Sequence, residues 1–148
     1  MQTLIRAATQ DDVDTLFEIR TSVVQNHLSI EQMAELGITP QLLADSMREA
    51  PCVWIAEVDG QPVAFAMVDL AEGEVFAMFV LPSHENLGLG RQLMAVAEAA
   101  LFEHHDRLFL ITDGRDEIRA NGFYRHLGWS VVERVEGDDV RYQKSRAG

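Results

Sequence analysis

The sequence has one cysteine, Cys52, and only four prolines and ten glycines in 148 residues. A single thiol excludes an internal disulfide, and its place in an apolar run marks a buried structural thiol in a reducing compartment. The shortage of Pro and Gly, with 47% hydrophobic and 24% charged residues, excludes collagen-like, low-complexity and disordered chains. Basic residues are scarce too: 12 Lys and Arg stand against 24 Asp and Glu, a formal net charge of −12. Such a field repels phosphate backbones and anionic lipids, so neither a nucleic acid nor a membrane is an expected partner. Met1 to Arg6 lack a secretory apolar core, and no apolar run nears the ~20 residues that cross a bilayer. The expectation is a cytoplasmic protein of one domain, residues 1–148.

What is present is periodic. Thr3 to Ala7 reads as a strand, and Thr9 with Asp11 and Asp12 as the start of a helix, Thr9 offering its hydroxyl as the cap. Val13, Leu16, Phe17, Val23, Val24 and Leu28 form its apolar stripe, with Arg20 as an amphipathic interruption. Gly37 closes a following helical piece, and Thr39-Pro40 opens another over Gln41 to Glu49. Cys52 to Val58 and Gln61 to Asp69 flank Asp59-Gly60 as a hairpin. Glu74 to Leu81 is a strand dense enough in apolar residues to predict burial on both faces. A helix from Gly90 to Asp106, a strand from Arg107 to Thr112, a helix from Glu117 to Leu127 and a hairpin of Trp129–Glu136 with Val140–Lys144 complete the chain. The predicted class is α/β: a mixed, mostly antiparallel sheet with one splayed parallel pair, flanked by helices.

Sites in such sheets lie beyond carboxyl strand ends, here after Leu81 and after Thr112. The first loop runs Pro82-Ser83-His84-Glu85-Asn86-Leu87-Gly88-Leu89-Gly90-Arg91 straight into a helix. Free amides and positive charge at a helix N-terminus, approached over glycine, can hold a pyrophosphate. Glycine there also serves simple backbone freedom. Neither a P-loop nor a dinucleotide fingerprint fits, since no Gly-Lys-Ser/Thr follows and the six-residue glycine pattern is incomplete.

A second constellation follows at Asn121-Gly122-Phe123-Tyr124-Arg125-His126-Leu127-Gly128-Trp129. Together Val80-x-Pro82, Gly88-x-Gly90 and Phe123-Tyr124-x-x-Leu127-Gly128-Trp129 resemble the signature of the GNAT superfamily of N-acetyltransferases, and the resemblance spans essentially the whole chain. It implies an acetyl-CoA co-substrate in the cleft between the splayed strands. Phe79, Val80 and Leu81 would line the pantetheine arm, and Gly88, Leu89, Gly90 and Arg91 the pyrophosphate, with Glu85, Asn86, Leu87 and Asn121 beside it. Two departures stand out. Glu85 lies where the family usually has Gln or Arg, and repels a phosphate by about 1 kcal/mol unless it points away. Glu117 replaces a common asparagine, a role Asn121 can take over.

Acyl transfer from a thioester needs a neutral amine, a stabilised oxyanion and a proton for the leaving thiolate. Tyr124 is implied as the acid; its phenol, ordinarily near pKa 10, is protonated at neutral pH. The plainer alternative is an aromatic core pair with Phe123. Glu74, placed 14 residues before Gly88 as in the family's histone-acetylating branch, is the implied base, against the reading of an exposed carboxylate. His84 is a second base. Backbone amides of Phe79 or Val80 would hold the oxyanion. Asn26 and His27 are candidate contacts to a small-molecule or protein amine acceptor, within a segment from Arg20 onward that covers the cleft in the family. Adjacent His104 and His105 diverge on a helix, so no metal site is expected. Small enzymes of this kind are commonly homodimers. Two classes follow: an active N-acetyltransferase, or a catalytically weak acyl-CoA-binding sensor of the same fold.

Overall fold

Thr3–Ala7 forms β1, and a 3-10 turn at Gln10–Asp12 leads into helix α1 (Val13–Ser22). Helix α2 (Pro40–Glu49) precedes strands β2 (Val53–Val58), β3 (Gln61–Asp69) and β4 (Glu74–Val80). A 3-10 turn at Pro82–His84 is followed by helix α3 (Leu89–Phe102), β5 (Arg107–Asp113), α4 (Arg119–His126), β6 (Ser130–Glu136) and β7 (Asp139–Ser145). This computed structural model describes residues 2–22, 39–49, 51–85, 87–115 and 119–146. The stripe residues Val23 to Leu28 and the helix end at Gly37 lie outside them.

Each start has a local cause. The Leu42 amide donates to Thr39 Oγ1 at 3.2 Å, capping α2 as the sequence predicts. Thr9 is the N-cap of the turn that leads into α1, as the sequence predicts, in a capping box with Asp12 whose carboxylate accepts from the Thr9 amide at 2.9 Å. Asp12 is also gripped by Arg6, which turns the carboxylate toward Thr9. At the other end, α3 stops at Phe102 instead of Asp106. His104 and His105 both send their amides back to the Leu101 carbonyl, and the His105 ring is held at 2.7 Å from the Leu70 carbonyl oxygen. That tie pulls the chain off the helix axis.

The strands make one sheet in the order β1-β2-β3-β4-β5-β7-β6, with every neighbouring pair antiparallel except β4 and β5. Val63 to Val68 are all buried, and because successive strand residues face opposite sides, both faces must be covered. Helix α3 packs over β2 to β5 with Leu89, Leu93, Met94, Ala97 and Leu101 buried, and α1 packs over β3 and β4. Trp54, Trp129, Met67 and Met94 are core residues, as is Cys52, whose thiol burial pushes upward in pKa.

The parallel pair is joined at Glu74↔Phe109, beside a Phe109 amide donating to the Gly73 carbonyl at 3.1 Å. Among the described residues no further ladder pair joins them, although both strands run on. They splay, and a cleft opens toward their carboxyl ends. A bulge lies on β4: the register passes from Met67↔Ala77 to Val68↔Val75, leaving Phe76 unpaired. The expected burial of β4 on both faces is therefore wrong. Only Val75 is buried, Phe76 is 47% exposed, and Ala77 to Val80 are half-buried, because the splay removes the neighbour that would have covered them.

Candidate active site

One wall of the cleft is β4, where Phe79 and Val80 are half-buried and lead through Leu81 to Pro82. Phe79 lies opposite Phe65 on β3, their ring centroids 5.7 Å apart. The loop beyond ends at Gly88, the N-cap of α3, with φ 80° and ψ 8°. A side chain would strain that left-handed backbone, and glycine adopts it freely. Gly88 makes no side-chain cap bond, and a Cβ placed on it would meet nothing within 4 Å. No side chain of the cap occupies the first-turn amides of α3, and such a helix start suits an anionic diphosphate. Leu89 is buried, Gly90 half-buried and Arg91 exposed, so Leu89 anchors the turn and Arg91 stands at its surface. Glu85 is exposed in an extended conformation and Leu87 is exposed. Asn86, Asn26, His27 and Glu117 lie outside the described residues. Ser83 Oγ sits 2.7 Å from His84 Nδ1.

The second motif packs against the first. A Cβ on Gly90 would come within 3.2 Å of the Phe123 ring, so the absence of a side chain there lets α4 close onto the start of α3. Phe123 meets Tyr124 edge-on at 5.6 Å, and Tyr124 meets Tyr142 of β7 at 5.4 Å. Burial, reinforced by Tyr142, pushes the Tyr124 phenol up to about 12. It stays protonated throughout the neutral range, the state an acid requires. Helix α4 ends in a Schellman arrangement: the Trp129 amide donates to the Tyr124 carbonyl and the Gly128 amide to the Arg125 carbonyl.

Asn121 is buried and turned inward. Its Nδ2 donates to the Arg115 carbonyl at 2.9 Å, and its Oδ1 accepts from the Tyr142 hydroxyl at 2.7 Å. The side chain ties the loop after β5 to β7.

Glu74 stands apart from these groups, at the foot of the cleft where β4 and β5 join, six residues and roughly 20 Å along the strand from Val80. Half-burial raises the Glu74 pKa, Asp69 and Glu72 raise it further, and Arg141 opposes them. A carboxylate moved upward is a better proton acceptor than an ordinary one.

Arg20 is the residue whose placement the sequence did not give. In place of a stem with its head in water, the whole side chain is buried, 8% exposed, with its guanidinium 4.1 Å from the Phe79 ring centroid. Nη1 is buried with no hydrogen-bond partner among the described residues, and burial lowers the Arg20 pKa. Stacking on an aromatic face returns about 2 kcal/mol when desolvated, against an effective penalty of several kcal/mol for burying an unpaired ion. The only advance signal was a charge within an apolar helical stripe.

Among the described residues, no group of three or more His, Cys, Asp or Glu converges as a metal site, and no helix is long and apolar enough to cross a membrane.

The sequence model of the acetyltransferase (GNAT) family matches residues 13–129, which include both motifs and the cleft between them. The chain belongs to the GNAT family. An uncharacterized N-acetyltransferase of Archaeoglobus fulgidus is 27% identical over 132 residues, covering 81% of this chain and 88% of that protein. The peptidyl-lysine N-acetyltransferase YjaB of Salmonella typhimurium is 32% identical over 143 residues, covering 92% and 89%. The crystal structure of the PaiA N-acetyltransferase of Thermoplasma acidophilum, solved with coenzyme A, superposes with a TM-score of 0.77 at 18% identity, over 98% of this chain and 99% of that one. The splayed α/β sheet is thus the GNAT fold, and the chain is an acetyl-CoA-dependent acyltransferase.

Proposed function

We propose that this GNAT enzyme transfers an acetyl group from acetyl-CoA to a primary amine of a small molecule or protein, by direct attack within a ternary complex. The observation that carries the reading is the contact of Phe123 with Gly90, which seats the helix of Tyr124 on the glycine turn. Gly88 to Arg91 hold the diphosphate, and Phe79 to Leu81 flank the pantetheine arm. Acetyl-CoA supplies an acyl group activated as a thioester. Glu74 takes the proton from the incoming ammonium, directly or through water. Tyr124 gives a proton to the departing thiolate as the C–N bond forms and the C–S bond breaks. A protein lysine is among the acceptors this favours, since the Salmonella relative is named for that substrate. Residues 1–148 act as one catalytic domain.

The test combines binding and turnover. Acetyl-CoA at 100 times its dissociation constant should add ~2.7 kcal/mol of stability, read as a rise in Tm. With an amine panel and free-thiol detection, Tyr124→Phe should lose about 100-fold or more in kcat with the acetyl-CoA shift retained. No shift with acetyl-CoA rejects the reading; undiminished turnover in the variant rejects Tyr124 as the acid.

A further inference from the structure

Arg20 places a guanidinium with a buried, unpartnered Nη1 on Phe79, inside the splayed half of β4. Among the described residues its contact is a ring face, and none supplies an anion. A buried guanidinium N–H without an acceptor calls for one, and an anionic acceptor is the strongest it can meet. The phosphates of the donor are drawn elsewhere, to the N-terminus of α3, which covers the sheet face opposite to α1. The pantetheine arm along Phe79 carries no charge, so the molecule left to bring an anion into the cleft is the acceptor.

Resting on the acetyl-transfer reading above, we propose that Arg20 is a specificity-determining residue that receives a carboxylate carried by the amine acceptor. The charges along β4 fit such a molecule. Glu74, with Asp69 and Glu72 near it, puts negative charge at the foot of the strand, and Arg20 puts positive charge over Phe79, five residues further on. An acceptor with an ammonium at one end and a carboxylate at the other meets both. A free diamine satisfies only the first. Away from the α3 turn the strongly acidic chain, at −12, disfavours a purely anionic acceptor but not one whose own ammonium offsets its carboxylate. The carboxylate belongs to a free amino acid or to an acidic residue beside a peptide lysine; the chemistry at Arg20 is the same.

Matched pairs test this. Lysine and ornithine differ from cadaverine and putrescine only by the carboxylate, and a Glu-Lys dipeptide blocked at both ends differs from blocked Gln-Lys by a carboxylate in place of a neutral carboxamide. Binding is measured by calorimetry with saturating CoA, for wild type, Arg20→Met and Arg20→Lys. Wild type should bind the carboxylate member of at least one pair about tenfold tighter or more. The pair that shows it identifies the source. Arg20→Met should abolish the difference by weakening the carboxylate member alone, and Arg20→Lys should restore part of it. The Tm of Arg20→Met should equal or exceed that of wild type, since the variant removes an unpaired buried charge. Equal binding within every pair in wild type overturns the proposal, as does a preference unchanged in Arg20→Met or an effect confined to CoA affinity. Absence of any acetyl-CoA shift overturns the acetyl-transfer reading and this proposal with it; a retained shift with equal pairs overturns the role of Arg20 alone.

Discussion

Glu74 and Tyr124 titrate far apart, and their separation has kinetic consequences. With Glu74 as base, a bound ammonium can be the reactive form, so wild-type kcat/KM should rise as Glu74 ionises, somewhat above the ordinary glutamate value of about 4.3. It should then stay level until the acceptor amine loses its proton. In Glu74→Gln only free amine reacts, so log kcat/KM should climb with unit slope across that range and approach wild type near pH 10. Tyr124, pushed up to about 12, should impose no fall below that point. Profiles of one shape in both proteins would remove Glu74 from the reaction. At this scale the sequence was uneven. Motif spacing singles out Gly88, whose φ of 80° is the left-handed turn that favours glycine, and Tyr124, which is buried edge-on to Phe123. Arg20 reads as an amphipathic interruption of the apolar stripe, because helical spacing tells which way a side chain points and not whether another layer covers its head.

Among the elements, α4 is the short one that carries Tyr124, and it is held by side chains from its neighbours. Glu98 of α3 accepts from Trp129 Nε1 at 3.1 Å and from Lys144 Nζ at 2.7 Å, while Lys144 also donates to the Leu127 carbonyl at 2.8 Å. Glu98→Ala would leave a part-buried ammonium and an indole N–H without their acceptor, and should cost about 2 kcal/mol in urea denaturation. A cost below about 0.5 kcal/mol, usual for a surface change, would show that the cluster does not secure α4. None of this was legible beforehand: Glu98, Trp129 and Lys144 are up to 46 residues apart and share no local pattern. The strands fared better. β1 and β3 have the predicted boundaries, and for β3 the Asp59-Gly60 turn fixes the start locally. The half-covered state of β4 depends on β5 leaving it, and an apolar run carries no record of that.

Across the whole molecule, the N-terminal edge is fastened by Arg6. Its guanidinium pairs both Asp12 oxygens and Glu57, joining β1, the approach to α1, and β2. Those hydrogen bonds, first the one from Arg6 and then the Thr9 amide, lower the Asp12 carboxyl to about 2, below its ordinary value near 3.9. A depressed folded-state pKa stabilises above the unfolded value and fades as pH falls through the folded one. Wild type should therefore exceed Asp12→Asn in Tm from neutral pH down to about 4, and the gap should close between about 4 and 2. A gap independent of pH in circular-dichroism melts would sink the assignment.

The single bridge at Glu74↔Phe109 makes the sheet a splice of two antiparallel units, β1 to β4 and β5 to β7. On the proposed reading, a donor lying between the splayed strands would occupy the place of the missing ladder. The substrate would then also be a structural member, and each turnover would remove and replace part of the protein's own seam.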